Sequence, residues 1–497
     1  MKKLLMLISI IVLLLGCNND DGGTPIPPEP EIEYTSGSAD FTTYVALGNS
    51  FTAGFSDSAL FIDGQLASFP TMLASNFALA GGGEFTIPLM ADNLGGLTLG
   101  GQPVRGNRLI LDFSSGDPTP VEVEGSGATE ISNTLAGPFN NLGVPGAKSY
   151  HLQAPGYGNV AGVALGLANP YYARFASSGT STIVGDALAQ NPTFFSLWVG
   201  NLDALNFAIA GGDGIDQTGN LDPSTYGNDD ISDPNVLAAA YDGILEAITA
   251  NGAKGVIANL PDLKVLPYFT TVPFNPVPLD AATAGLLNGA YAAYNGGVNQ
   301  LASLNIITAE EAAARQISFS AGDANAVVLL DEDLTDLTGF NPALINMRQA
   351  TAEDLLVFTS QTIIGTLANP NDPTSINGVA VPLADKWVLT PEEQQIATQA
   401  TAAYNQTIEA LAQKYDVAFV DAKGLLDEVN ETGITLSDGS IVTSDYATGG
   451  AFSLDGIHPA PRGYALVANK MIEAINAKYG SNLPGVEPLD YTGLYIK

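Results

Sequence analysis

Four short apolar runs mark candidate strands: residues 44–47 (YVAL) broken at Gly48, 194–199 (FFSLWV) ending at Gly200, 255–260 (GVIANL) ending at Pro261, and 417–421 (VAFVD). Runs of this length without polar alternation suit strands buried on both faces. Helical periodicity lies between and after them. Asp233-Pro234 is a helix start, with Asp as N-cap and Pro in the first helical position. Leu237, Tyr241, Ile244, Leu245 and Ile248 then share one face, and Asn251-Gly252 closes the helix. Thr390-Pro391-Glu392-Glu393 opens a second helix reaching about Lys414, and a third runs from about Pro461 to Tyr479 with Gly480 as its stop. Buried strands alternating with amphipathic helices predict an α/β fold with a mainly parallel sheet. In such sheets the chemistry sits in loops at the carboxyl ends of the strands.

The folded domain is expected over residues 41–497, with two stretches beyond what that core needs. Residues 75–135, rich in Gly, Leu and Thr, read as loop and hairpin material. Residues 270–390 form a second insertion of helix-like and strand-like pieces. Both carry apolar residues that fit either a cover for an acyl chain or ordinary core.

The N-terminus reads differently. Lys2 and Lys3 precede residues 4–15, which are hydrophobic apart from Ser9. A spanning helix needs roughly 20 such residues, so the run reads as a signal-peptide core. It ends in Leu14-Leu15-Gly16-Cys17, which resembles the lipobox of bacterial lipoproteins and implies a lipidated Cys17, although Leu15 is bulky for its place. An ordinary secretory signal with an incidental cysteine is the alternative. Residues 18–40, containing PIPPEPE, read as a tether. The expected location is a cell envelope, lipid-anchored, with the outer membrane favoured. Cys17 is the only cysteine, which excludes disulfides within the chain and Cys-based metal sites. The net charge of −35, from 52 acidic and 17 basic residues, argues against nucleic acid or anionic lipid headgroups as partners.

A serine nucleophile needs a base, usually a histidine oriented by a carboxylate, and donors for the oxyanion. The chain has two histidines, His151 and His458. His458 follows Asp455 by three residues in Asp455-Gly456-Ile457-His458, so one tight turn can place the carboxylate on the imidazole. Ser50, in Gly48-Asn49-Ser50-Phe51, comes directly after the first strand. Taken singly, the first pattern also fits a structural loop and the second a helix cap.

Together these blocks resemble the GDSL (SGNH) hydrolases. The blocks are Gly48-Asn49-Ser50-Phe51, Asn141-Leu142-Gly143-Val144-Pro145-Gly146-Ala147, Trp198-Val199-Gly200-Asn201-Leu202-Asp203 and Asp455-Gly456-Ile457-His458. Asn259-Leu260-Pro261-Asp262-Leu263 is similar to the segment the family places before its last block. More closely, the chain resembles large lipoprotein members of Gram-negative envelopes. The resemblance implies a three-layer α/β/α sandwich of flavodoxin-like type and a serine esterase or lipase working through an acyl-enzyme. Ser50 would attack the ester, His458 would move the proton, and Asp455 would hold the imidazole. The backbone N–H groups of Ser50 and Gly146 would be oxyanion donors. Two departures stand out. Asn49 replaces the family's Asp, and Leu202 falls where the family has its oxyanion asparagine, so that either a small shift lets Asn201 serve as oxyanion donor or the hole has only backbone donors.

The expected partner is an ester substrate, of acyl-lipid type, with no cofactor and no metal. A carbohydrate acetyl esterase is the rival enzyme. A non-catalytic lipoprotein that binds lipid or a neighbouring envelope transporter is the rival of another class. Asp216, Asp222, Asp229 and Asp230 lie in an acidic stretch without EF-hand spacing, which reads as a solvated loop rather than a calcium site. His151 reads as a loop residue or as lining for the site entrance.

Overall fold

The computed structural model describes residues 32–114 and 118–497. The apolar leader, Cys17 and the tether up to residue 31 lie outside the described residues. Five parallel strands form the central sheet: β1 (Tyr44–Gly48), β2 (Asn141–Gly143), β3 (Phe194–Trp198), β4 (Lys254–Ala258) and β5 (Ala418–Val420), in the spatial order β2-β1-β3-β4-β5. Every residue of β1 and β3 is buried, as expected of strands covered on both faces. β1 pairs with β3 from Tyr44–Phe194 to Gly48–Trp198 and with β2 from Ala46–Asn141 to Gly48–Gly143.

The main helices are α1 (Ser50–Ala53), α2 (Phe69–Leu79), α3 (Leu202–Ile209), α4 (Pro234–Thr249), α5 (Ala281–Ser303), α6 (Pro391–Lys414) and α7 (Pro461–Tyr479). α2 and α7 pack together, and α6 packs on α3 and α4, so helices flank the sheet in two groups. The local signals behave as the sequence suggests. Asp233 accepts from Asn235 N (2.7 Å), Thr390 and Glu393 form a reciprocal capping box, and Gly480 ends α7 at φ 71°.

The four strands read from the sequence are present, and β2 is an addition. It lies in the Asn141-to-Ala147 block, for which the sequence predicts no strand because three residues ending in glycine carry no periodicity. Residues 97–112 and 119–130 form short strand pairs, beside a small core of Leu60, Met90, Leu97, Ile131 and Tyr171. The stretch from Val272 to Val388 has a hydrophobic core of its own, including Tyr291, Val298, Val328, Leu329, Leu337 and Leu356. No helix among the described residues is long and apolar enough to cross a membrane.

Candidate active site

The carboxyl ends of the five strands open into one set of loops, and the residues singled out from the sequence lie there. β1 ends at Gly48, and Ser50 begins the short helix α1 with Asn49 as its cap, accepting from Phe51 N (3.2 Å). Close packing explains the glycine. A Cβ on Gly48 would stand 2.4 Å from the Trp198 carbonyl oxygen of β3 and 2.1 Å from Thr52 Oγ1. Ser50 Oγ lies 2.9 Å from His458 Nε2, and His458 Nδ1 lies 3.0 Å from Asp455 Oδ2. An ionised carboxylate only accepts, so Nδ1 carries the proton and Nε2 faces the serine hydroxyl as acceptor.

Asp455 is held ionised. Burial pushes its carboxyl up, but the imidazole of His458 and the N–H groups of His458 and Ser58 outweigh this and hold it down at about 2. Its Oδ1 accepts from Ile457 N (2.9 Å) and His458 N (2.8 Å), and Oδ2 also accepts from Ser58 N (3.0 Å). The turn needs Gly456, at φ 72°, where a Cβ would meet Tyr268 N at 2.9 Å. The imidazole is walled by Phe51 and Phe55, with ring centroids 5.1 and 4.7 Å away.

A clasp joins segments some 400 residues apart. Asp57 and Ser58 both adopt positive φ, 50° and 64°. Asp57 N donates to Ser453 Oγ (3.0 Å), Asp57 Oδ1 accepts from Leu454 N (2.9 Å), and Ser58 N reaches Asp455. Burial, opposed by the Leu454 hydrogen bond and aided by the charge of Asp455, pushes Asp57 up to about 7. Two neighbouring aspartates are thus driven apart, and only Asp455 is ionised well below neutrality. Sequence reasoning did not single out Asp57. Its one local sign is Asp-Ser just after the Gly54 helix stop, too common a pattern to select it.

Ser50, His458 and Gly146 line an open cleft of about 950 Å³. Gly146 adopts φ 85°, in the left-handed region that favours glycine. Among the described residues no acceptor takes the backbone N–H of Ser50 or of Gly146, so both are free for an oxyanion. Asp203 anchors the loop behind them: fully buried, it accepts from Ser149 N and Ser149 Oγ, each at 2.8 Å. Burial raises its pKa, opposed by those bonds.

The third block places its two uncertain residues apart. Leu202 lines the cleft with Ser50. Asn201 instead lines a separate apolar cavity of about 70 Å³, beside Phe51, Trp198 and Leu260, with its Oδ1 buried and unpartnered. The cleft therefore meets a leucine where the expected side-chain donor would stand. Its physical origin is the helical turn at Asn201 (φ −54°, ψ −48°), which aims consecutive side chains in different directions.

His151 lies on the cleft wall. Its ring stacks on Tyr157 at 4.4 Å, and its Nδ1 accepts from Lys148 N (3.0 Å), which leaves the proton on Nε2. Burial, with Lys148 as the lesser cause, lowers its pKa to about 4, so it is neutral at physiological pH. The acidic stretch after α3 uses its carboxylates within its own turns: Asp216 holds Thr218, Asp222 holds Ser224, and Asp230 accepts from Ile215 N, Gln217 and Gly227 N. Comparison with protein-family models, with curated proteins and with solved structures finds no match for this chain.

Proposed function

We propose that the chain is a serine ester hydrolase of the GDSL (SGNH) type, acting through an acyl-enzyme on Ser50. The observation that carries the proposal is the hydrogen-bonded series Ser50–His458–Asp455, at 2.9 and 3.0 Å, opening on a cleft beside two free N–H groups. The strand order β2-β1-β3-β4-β5 supports a flavodoxin-like, doubly wound sandwich, with the nucleophile after the strand where the winding reverses.

In this reading His458 Nε2 takes the Ser50 proton as Oγ attacks the ester carbonyl. The carbonyl oxygen becomes an oxyanion held by the N–H groups of Ser50 and Gly146. Collapse expels the alcohol, protonated by His458, and leaves an acyl-Ser50. Water, deprotonated by the same nitrogen, then releases the acid. Asp455 stays ionised throughout and fixes the tautomer. With Leu202 on the wall, the hole has two backbone donors. A missing third donor is worth roughly 10²–10³-fold in turnover, so the enzyme is a slow one.

The substrate class follows from the cleft. Leu202, Ile209, Val163 and Leu167 offer apolar surface for an acyl chain. A second reading, an acetyl esterase on glycans, has its own support in Tyr150, Tyr157 and Tyr226, aromatic faces beside the His151 Nε2–H donor that suit a sugar ring. We place the protein at a cell envelope, tethered through a lipidated Cys17. Hydrolysis of short and long p-nitrophenyl esters and of acetylated glycans tests the proposal. Activity on at least one, absent from Ser50→Ala, is expected. Equal rates for wild type and Ser50→Ala would leave a binding lipoprotein as the reading.

A further inference from the structure

We propose that Glu332, Asp385 and Glu393 bind a hard divalent cation of calcium size, at the seam between the inserted core and the start of α6. One oxygen from each carboxylate lies within 4.8 Å of the others. Two oxygens on opposite sides of a calcium ion, each at about 2.4 Å, stand about 4.8 Å apart, so one ion fits among the three.

Clustered carboxylates are common without an ion, and the case rests on Glu393. This side chain is only 3% exposed. Its Oε2 serves the capping box, accepting from Thr390 N (2.6 Å) and Thr390 Oγ1 (2.9 Å). Its Oε1 is buried with no protein partner, and so is Asp385 Oδ1. The Gly211-Gly212 turn, with φ 70° and 88°, presses on the same place: a Cβ on Gly212 would stand 1.8 Å from Glu393 Oε1. The cap uses one carboxylate oxygen and leaves the other buried without a partner.

The nearby cations are engaged elsewhere. Among the described residues, no Lys or Arg forms an ion pair with any of the three. Lys386, next to Asp385, holds its Nζ 5.0 Å from the Trp387 ring centroid, and Arg348 pairs with Asp331 and Asp354. Burial, aided by the neighbouring carboxylates, pushes the carboxyls of Glu393 and Asp385 up. Glu332 is exposed and leaves an open side for entry and for water ligands. Magnesium demands near-ideal octahedral geometry, whereas donors from separate segments with one open side suit calcium. The ion would tie the insertion to the start of α6, which packs on α3, the helix whose Leu202, Asn206 and Ile209 line the cleft.

The test uses the full chain, stripped with chelator, and terbium as a calcium substitute. Trp387, one of two tryptophans, lies two residues from Asp385 and serves as sensitiser. Sensitised terbium emission that calcium displaces is expected, together with a calcium-dependent rise in Tm. Glu332→Gln, at an exposed site that tolerates substitution, and Asp385→Asn should each weaken binding by at least roughly tenfold. No terbium or calcium binding at millimolar concentration would overturn the proposal. So would equal binding by both variants. Neither result touches the Ser50 chemistry, which needs no metal.

Discussion

The sheet region and the insertion from Val272 to Val388 bury their apolar residues on different terms. In the sheet, five strands drawn from residues 44 to 420 share one core, and the polar groups gather at the carboxyl edge. The insertion packs against itself: one face of α5 (Ala284, Tyr291, Tyr294, Val298, Leu301) covers strand pairs only two to four residues long. It also buries charge, with Arg348 bound to Asp331 (2.5 Å) and to both oxygens of Asp354 (2.6 and 2.7 Å). It meets the rest of the fold through aromatic contacts, Tyr268 with Phe358 (6.2 Å) and Phe358 with Tyr446 (4.7 Å). The difference separates two jobs. The candidate site's geometry belongs to the sheet and its loops, while the insertion is a packed body none of whose residues line the cleft.

The largest effect expected is on the sheet side. Ser50→Ala or His458→Ala should lower ester hydrolysis by about 10⁴-fold or more while leaving the melting transition nearly unmoved. Steady-state rates and calorimetry on the same samples check this. Arg348→Ala attacks the other side. It strands two buried carboxylates and should cost about 3–5 kcal/mol, read by denaturant unfolding, with labelling of Ser50 per folded molecule unchanged. If hydrolysis per folded molecule fell in step with stability, the division of labour would fail.

Asp57→Asn probes the clasp. Its carboxyl is raised in the folded chain to about 7 from an ordinary 3.8. Its contribution to stability is therefore full below about 3.8 and is lost as pH rises through 7. Wild type should lose up to about 4 kcal/mol over that window relative to the Asn variant. Asp455 runs the other way: held at about 2, it stabilises above about 3.8 and ceases to do so as pH falls towards 2. Unfolding curves from pH 3 to 8 distinguish the two. The smallest effect is a gain. Leu202→Asn, putting a donor on the cleft wall, should raise kcat by at least about tenfold. No gain would mean that the two backbone donors already suffice.

How much of this was legible in the sequence follows from range. Local chemistry was readable: the Asp233 and Thr390 caps, the Gly480 stop, the unbroken runs at 44–47 and 194–199, and a carboxylate three residues before a histidine. β2 was not, since Asn141-Leu142-Gly143 pairs with β1 only because the sheet offers an edge. Asp57 was not either, because its meaning lies in hydrogen bonds to Ser453 and Leu454, almost 400 positions later. The insertion showed helix-like and strand-like pieces but not its separate core, which depends on pairings such as Val328 with Gln349. Nothing in the sequence marked Glu332, Asp385 and Glu393 as neighbours, for they come from separate segments.

The central claim is that Ser50 is an activated nucleophile. The most direct measurement is labelling of the full chain with a fluorophosphonate, followed by peptide mapping. One adduct is expected, on Ser50, abolished in Ser50→Ala and slowed by at least about 10³-fold in His458→Ala. Labelling of wild type no better than Ser50→Ala would contradict it.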